Sequence, residues 1–434
     1  MPQKLQSTKY YKKNNANTIR FVPFRVLVFL WQNFTSQINT GIVFNVSQRC
    51  LKNRPLLNYF SLLFLSAFLT SCSFQQKEAG SGIKSSGTKY AKGFTLERKT
   101  HYKKLVILNP WDNYKPYATY FIFKDSLKPE LEESELSFYF YETPKSIALH
   151  TAAQAATLSI LDLDKYIKGI TDPRFFYEQK YADKLDSGLL IQTSNQVQLN
   201  QERILLLHPE IVITSGWNTI NSDYQMLIKT GIPPLFMIEW METNPLGRAE
   251  WIKVLGFLFD KEKEADSIFQ MVEKNYLAIK NQTKRQKVRP QILHGEEYNG
   301  VWYVAGGQSY IAQIYKDAGA DYLWKDNDKT GSLPIDFEMV LKRGASADFW
   351  FTTFSQNTID IEHIKQEKYS ILKSVKEQKI YSNSKRIRKM GGNDFWETGS
   401  FRPDIILQDI VQIIHPENKK KDSLFFYKRL SLKD

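Results

Sequence analysis

Few residues of this 434-residue chain are of types that make or break bonds, and their spacing points away from catalysis. Only two cysteines occur, Cys50 and Cys72. They could pair only with each other, so the body beyond them holds neither a disulfide framework nor a thiolate metal site. Six histidines stand far apart: His101, His150, His208, His294, His363 and His415. A fold could gather His150, His208 and His294 around bare zinc or manganese, although the spacing does not impose it. GxxxxGK[ST], GxGxxG after a strand, HExxH and GxSxG are all missing, and no enzyme chemistry is expected. What remains is recognition. Trp217, Trp302, Tyr303 and Trp396 offer flat apolar faces suited to a broad ligand, with Gly306 and Gly307 alongside. Arg388 and Arg402 offer planar cations for carboxylate or chelate oxygens, and Arg386, Arg388 and Lys389 read as a solvated basic loop unless the ligand is anionic.

Those side chains need elements to bring them together. Leu105–Leu108 and Tyr120–Phe123 read as strands around the turn Asn109–Asn113, an antiparallel hairpin. Alternation of strand and helix follows. Strands are expected at Ser146–Leu149, Ile211–Thr214 and Pro234–Ile238, and helices at Ala152–Leu161, Glu202–Leu207 and Tyr224–Lys229. That pattern predicts an α/β lobe with a largely parallel sheet. Asn244 can cap and Pro245 can open a long helical stretch. Trp251, Ile252, Leu255, Leu258 and Phe259, then Ala265, Ile268, Phe269, Val272, Tyr276 and Ile279, recur at helical spacing to about Lys280. A continuous helix there would run roughly 50 Å at ~1.5 Å per residue. A second alternating unit closes the body, from the strand Pro290–Leu293 to the helix Pro403–Ile414. Two α/β lobes on one long connector are expected, with ligand held at strand ends that face a cleft.

The net charge of +13 is placed unevenly. Residues 1–71 hold nine lysines and arginines and no acidic residue, while the rest is close to balance, with fifty basic against forty-six acidic residues. The excess therefore reads as targeting, and the balanced body excludes a nucleic-acid partner. Leu56–Leu69 is apolar, follows Lys52 and Arg54, and is too short to span a bilayer comfortably. It ends in Leu69-Thr70-Ser71-Cys72, which resembles the lipobox of bacterial lipoproteins. Lipid on Cys72 would anchor the chain to a membrane at the cell envelope, facing the periplasm. A signal of this kind sits at a chain's start, so translation is expected to begin near residue 50. The polar stretch 72–89 reads as a flexible tether.

Several motifs share an order and spacing. Glu202 stands seven residues before Pro209, ahead of the strand Ile211–Ile213. Leu333-Pro334-Ile335-Asp336-Phe337-Glu338-Met339-Val340 repeats the idea and leads to Ala347-Asp348-Phe349-Trp350. Leu255-Gly256-Phe257-Leu258-Phe259 with Glu264-Ala265, Asp317-Ala318-Gly319-Ala320 and Ile414-His415-Pro416-Glu417 complete the set. Across roughly residues 140–417 the chain resembles the iron-siderophore/cobalamin class of periplasmic solute-binding proteins. The block Asn244–Trp251 is similar to a Bacteroidetes-type lipoprotein subgroup. The resemblance implies a class III periplasmic binding protein: two Rossmann-like lobes joined by one long backbone helix. It implies a monomer that carries an iron chelate, haem or cobalamin to an ABC transporter permease and its ATPase. It also implies that Glu202 and Glu338, one on each lobe, dock on permease arginines. The expected layout is 1–71 extension and signal, 72–89 tether, 90–130 hairpin region, 131–243 first lobe, 244–282 connecting helix, 283–417 second lobe and 418–434 tail. A bare-metal receptor is the alternative, as is a surface enzyme or adhesin using the hairpin region and residues 170–194.

Overall fold

Apolar alternation at the start of the body builds a small sheet ahead of the first lobe. The computed structural model describes residues 88–125, 131, 133–195, 198–354, 358–418 and 424–432, so Cys72 and the signal-like run lie outside the described residues. Strands β1 (Phe94–Arg98), β2 (Tyr102–Asn109), β3 (Lys115–Phe123) and β4 (Ser137–Phe140) lie side by side in that order. The first three are antiparallel, and β4 runs parallel to β3. The expected hairpin is β2–β3. Phe94, Leu105, Ile107, Tyr120 and Ile122 point inward and are buried, and the Tyr120 hydroxyl donates to the Pro234 carbonyl at 2.8 Å, tying the sheet to the first lobe.

That lobe contains β5 (Ile147–Leu149), α1 (Ala155–Ile160), β6 (Ile167–Ile170), α2 (Lys180–Asp186) and β7 (Ile191–Gln192). After a two-stranded turn, β8 (Ser194–Asn195) and β9 (Gln198–Leu199), come α3 (Gln201–Leu207), β10 (Ile211–Ser215), α4 (Ser222–Lys229) and β11 (Pro234–Met237). The sheet order is β7-β6-β5-β10-β11, parallel throughout. Local chemistry sets the ends of α3. The Asn200 side chain accepts from the Arg203 amide at 3.0 Å, and His208 closes the helix in the left-handed region at φ 43 just before Pro209.

The connector is where periodicity misleads. Instead of one rod it is three helices: α5 (Pro245–Glu250), α6 (Ile252–Leu258) and α7 (Glu262–Thr283). Asn244 accepts from the Leu246 amide at 2.9 Å and Pro245 opens α5 as expected. The chain then turns at Asp260, whose φ of 55 cannot continue a right-handed helix. The apolar spacing survives because α6 and α7 fold back on each other, with Gly256 against the Ala265 side chain.

The second lobe contains β12 (Gln291–His294), β13 (Glu296–Tyr298), β14 (Val301–Ala305), α8 (Tyr310–Asp317), β15 (Asp321–Tyr322), β16 (Ser332–Ile335), α9 (Phe337–Gly344) and β17 (Phe349–Thr352). It continues with α10 (Thr358–Ile364), α11 (Lys373–Lys376), β18 (Ile380–Ser382), α12 (Asp394–Phe401), α13 (Pro403–Ile414) and β19 (Lys428–Arg429). Its main sheet runs β15-β12-β17-β18-β19, parallel except for β19. Val301–Ala305 joins a separate antiparallel sheet, β13-β14-β16. One apolar core runs without a break from the small sheet through both lobes.

Candidate functional site

In open parallel sheets, ligands gather outside the carboxyl ends of the strands where the chain order reverses. The reversal falls between β5 and β10 in the first lobe, and between β12 and β17 in the second. Each of those edges carries a histidine at the end of the lobe's first strand. His150 follows β5, with Nε2 2.9 Å from the Thr193 hydroxyl and Nδ1 3.4 Å from that of Tyr224. His294 ends β12, with Nδ1 2.7 Å from the Tyr315 hydroxyl. Enclosure by protein pushes His150 down to about 3. The same cause brings His294 to about 4, opposed by the charge of Glu296. His208 lies at the other end of the sheet, before β10 begins, and is spent on closing α3. The three histidines therefore do not converge, and no cluster of three His, Cys, Asp or Glu suited to a metal occurs among the described residues.

The first lobe carries three half-buried tryptophans at its strand ends. Trp217 follows β10, Trp240 follows β11, and Trp111 comes from the β2–β3 turn. Trp240 sits in the middle, 5.5 Å from Trp217 and 5.7 Å from Trp111 between ring centroids. Gly216 permits this arrangement: a Cβ there would come within 2.6 Å of the Ile238 side chain, forcing β10 and β11 apart just before the tryptophans. The Tyr117 hydroxyl donates to the Trp217 carbonyl at 2.8 Å and holds the small sheet against this rim.

Beside Trp240 the site has a polar floor. Glu239, Arg248 and Gln154 are all buried, and Glu239 Oε2 and Arg248 Nε lack hydrogen-bond partners among the described residues. Burial pushes the Glu239 carboxyl up, and the positive charge of Arg248 pulls it back. The Arg248 guanidinium lies 4.3 Å from the ring centroid of Tyr310, so this floor reaches the second lobe. Buried polar atoms without partners are costly, and such a cluster is suited to meeting polar groups of a bound molecule or water.

Of the expected ligand residues, only Trp217 belongs to this cluster. Trp302 has 0% exposure and lies in the second lobe's core, 5.3 Å from Trp350, with Nε1 donating to the His294 carbonyl at 3.2 Å. Strand β14, on which it sits, folds down onto β17 instead of lining a cleft, so Trp302 has no face for a ligand. Tyr303 stands next to it on β14, opposite Glu296 and Pro334. Gly306 is needed by its own chain, since a Cβ would reach 2.2 Å from the Lys329 carbonyl oxygen; Gly307 is crowded likewise by Lys325 and Asn327. Arg388 clamps the lobes together, donating to the Phe176 carbonyl at 3.1 Å and to the Gln179 side chain. Arg402 is committed to Asp404 through two bonds of 2.8 and 2.9 Å. Trp396 is half-buried, edge-on to Phe395 at 5.0 Å. Trp111, Trp240, Glu239 and Arg248 escaped the sequence reading. Trp111 sits in a segment read only as a turn, and the sole signal for the others was their place just after a strand end and within the capped start of α5.

Glu202 and Glu338 occupy matching places. Each is the second residue of its helix, exposed, in α3 and α9. Each helix leads into the strand that borders the lobe's first strand, β10 or β17. Between the lobes, the Ser400 hydroxyl donates to the Ala153 carbonyl at 3.2 Å, and the Tyr177 amide donates to the buried Glu397 carboxylate. Residues 170–194 thus furnish an edge strand and half of this seam.

A family described as periplasmic binding proteins matches residues 153–386. An uncharacterized lipoprotein of Methanocaldococcus jannaschii is 27% identical over 273 residues, 62% of this chain and 63% of the relative. An uncharacterized protein of the same organism is 23% identical over 335 residues, 74% of this chain and 98% of the relative. The chain thus spans less than two thirds of the first relative's length. Among solved structures, one from Staphylococcus epidermidis, titled a possible iron-binding periplasmic solute-binding protein, aligns with TM-score 0.50 at 18% identity, over 63% of this chain and all of the other. A TroA-like periplasmic binding protein, FepB, from Veillonella parvula aligns with TM-score 0.51 at 15% identity, over 67% of this chain and 96% of the other.

Proposed function

The chain belongs to the periplasmic binding protein family, and on that premise we propose that it captures a chelated metal, as an iron–siderophore complex, haem or cobalamin, for an ABC importer. Its fold is the class III α/β arrangement. The observation that carries the ligand class is the tryptophan trio at the first lobe's strand ends, set beside the Glu239–Arg248 floor. Stacked or tilted aromatic faces favour a broad flat ligand, and each aromatic contact adds about 0.5–1.5 kcal/mol beyond burial. The floor supplies a carboxyl and a guanidinium at one edge, suited to the polar periphery of such a molecule. The Staphylococcus epidermidis protein, named as a possible iron-binding solute-binding protein, supports this class.

Lipid on Cys72 would hold the protein at the envelope membrane, and the relative named as a lipoprotein supports that placement. Glu202 and Glu338 would then meet cationic sockets on the permease: two exposed carboxylates on equivalent helices, one on each lobe, form a two-point mark.

Tryptophan fluorescence of the full chain, titrated with haemin, a ferric hydroxamate, cobalamin and zinc, tests the ligand class. One of the first three is expected to quench stoichiometrically, with at least a tenfold weaker midpoint in Trp240→Ala. Stoichiometric zinc binding with no response to any chelate would overturn the reading. Docking is tested separately: Glu202→Arg with Glu338→Arg is expected to abolish uptake into cells while leaving the quenching midpoint in place.

A further inference from the structure

A concavity lies on the flank where α7 and α8 run together, and none of the three tryptophans lines it. It encloses about 530 Å³ and is lined by residues of α7, the start of α5, the Gly307–Ser309 turn and α8. Its floor is buried and polar. Asp317 accepts from the Tyr276 hydroxyl at 2.8 Å and the Gln313 amide at 2.7 Å, and pairs with Lys280 at 3.0 Å. The single buried carboxylate is thus already neutralised by the single cation it touches. Lys284, Arg289 and Lys316 also line the concavity, are exposed, and form no ion pair among the described residues. Three uncompensated cations around one hollow repel each other, and an entering anion would relieve all three at once.

Tyr90 is part of the hollow's lining, and the Lys89 and Tyr90 side chains both bond to Glu273 on α7. Lys89 and Tyr90 are thus fastened to α7 at the edge of the basic hollow.

We propose that this hollow binds a phosphate group, with Lys284, Arg289 and Lys316 as its cationic rim and Thr283, Ser309 and Gln313 as neutral polar partners. A phospholipid headgroup and free phosphate share that chemistry. The proposal does not rest on the importer reading. The test uses the full chain in detergent and its thermal unfolding midpoint, titrated with inorganic phosphate, with soluble short-chain phosphatidylglycerol and with short-chain phosphatidylcholine as the zwitterionic comparison. Lys284→Glu with Lys316→Glu is compared with Lys168→Glu plus Lys229→Glu, an equal charge change at exposed first-lobe positions. A saturable upward shift is expected, with apparent affinity at least tenfold weaker in the α7–α8 pair and unchanged in the first-lobe pair. A response to phosphatidylglycerol alone assigns the headgroup as source, and an equal response to inorganic phosphate assigns the free ion. No saturable shift with either, or equal weakening in both double variants, would overturn the proposal. Unchanged unfolding midpoints of the unliganded variants separate lost binding from lost folding.

Discussion

Both lobes start with a strand that ends in a histidine held by a tyrosine, and both place a glutamate second in the helix before the bordering strand. What happens above the strand ends separates them. In the first lobe the edge stays open and half-buried tryptophans stand on it. In the second, β13, β14 and β16 fold over the corresponding edge. There Glu296 is buried and accepts from the Thr352 hydroxyl at 2.7 Å and the Thr353 amide at 2.9 Å, while Trp302 is surrounded by Trp350, Phe337 and Tyr369. The same residue type does opposite work in the two halves. A tryptophan keeps an accessible face where the edge is bare and braces the core where a second sheet covers it. The sheet orders show a parallel divergence, since the first lobe reverses after three strands and the second after two.

The largest effect that would break this contrast is on stability. Trp302→Ala is expected to cost about 3–5 kcal/mol in denaturant unfolding, the range for removing a fully buried large aromatic. Trp217→Ala is expected to cost less than Trp302→Ala, since its ring is only partly buried, while weakening chelate binding about tenfold, or ~1.4 kcal/mol. Equal stability losses at the two positions would erase the distinction between an open and a covered edge.

The sequence made the contrast only half legible. The start of α5 was readable because capping is local: Asn244 and Pro245 act within a few residues, and the α/β alternation followed from runs such as Ile211–Thr214. The helix Pro403–Ile414 coincides with its structural range. The break in the connector was not readable, because packing α6 against α7 keeps the apolar spacing of a straight helix and only the backbone of Asp260 reveals the turn. The site was the least legible part. Trp302, inside a short strand, and Trp217, two residues past one, carry no local sign of which will be covered. Which one is covered depends on strand Ser332–Ile335 pairing back onto β14 from thirty residues away. Trp111 joins the rim through a sheet that contacts the lobe only in three dimensions.

The two histidines sharpen the comparison through pH. Both fold with values below the ordinary 6.5, His150 near 3 and His294 near 4. An unfolded chain therefore binds protons that the native one refuses, and the stability held above about pH 6.5 is lost as pH falls toward 4 and then 3. Unfolding midpoints measured from pH 7.5 down to 4.5 are expected to drop with a slope that His150→Gln and His294→Gln each reduce. The first-lobe variant should flatten the curve more, because Glu296 partly supports a charge on His294 and no such carboxylate acts on His150. Equal flattening would mean that the two pairs are electrostatically alike after all.

The smallest effect at neutral pH, and the one that tests how firmly the lobes are joined, concerns Glu397 in α12. Its carboxylate accepts the Tyr177 amide across the seam, yet burial pushes it up to about 8, helped by Asp394 and Glu178 and opposed by Lys180. A carboxyl raised above its unfolded value stabilises fully below about 4.5, and that contribution disappears as pH rises through about 8. The seam is therefore made with a neutral acid, and alkali should loosen it. Glu397→Gln keeps the volume and an oxygen for the Tyr177 amide while removing the titration, so it should leave the midpoint at pH 6 within about 1 kcal/mol of the parent. Between pH 6 and 9 the parent is expected to lose stability and the variant to hold level. A variant that follows the parent downward would place the alkaline weakness elsewhere than between the lobes, and the seam would then join them by Arg388 and Ser400 without help from a protonated acid.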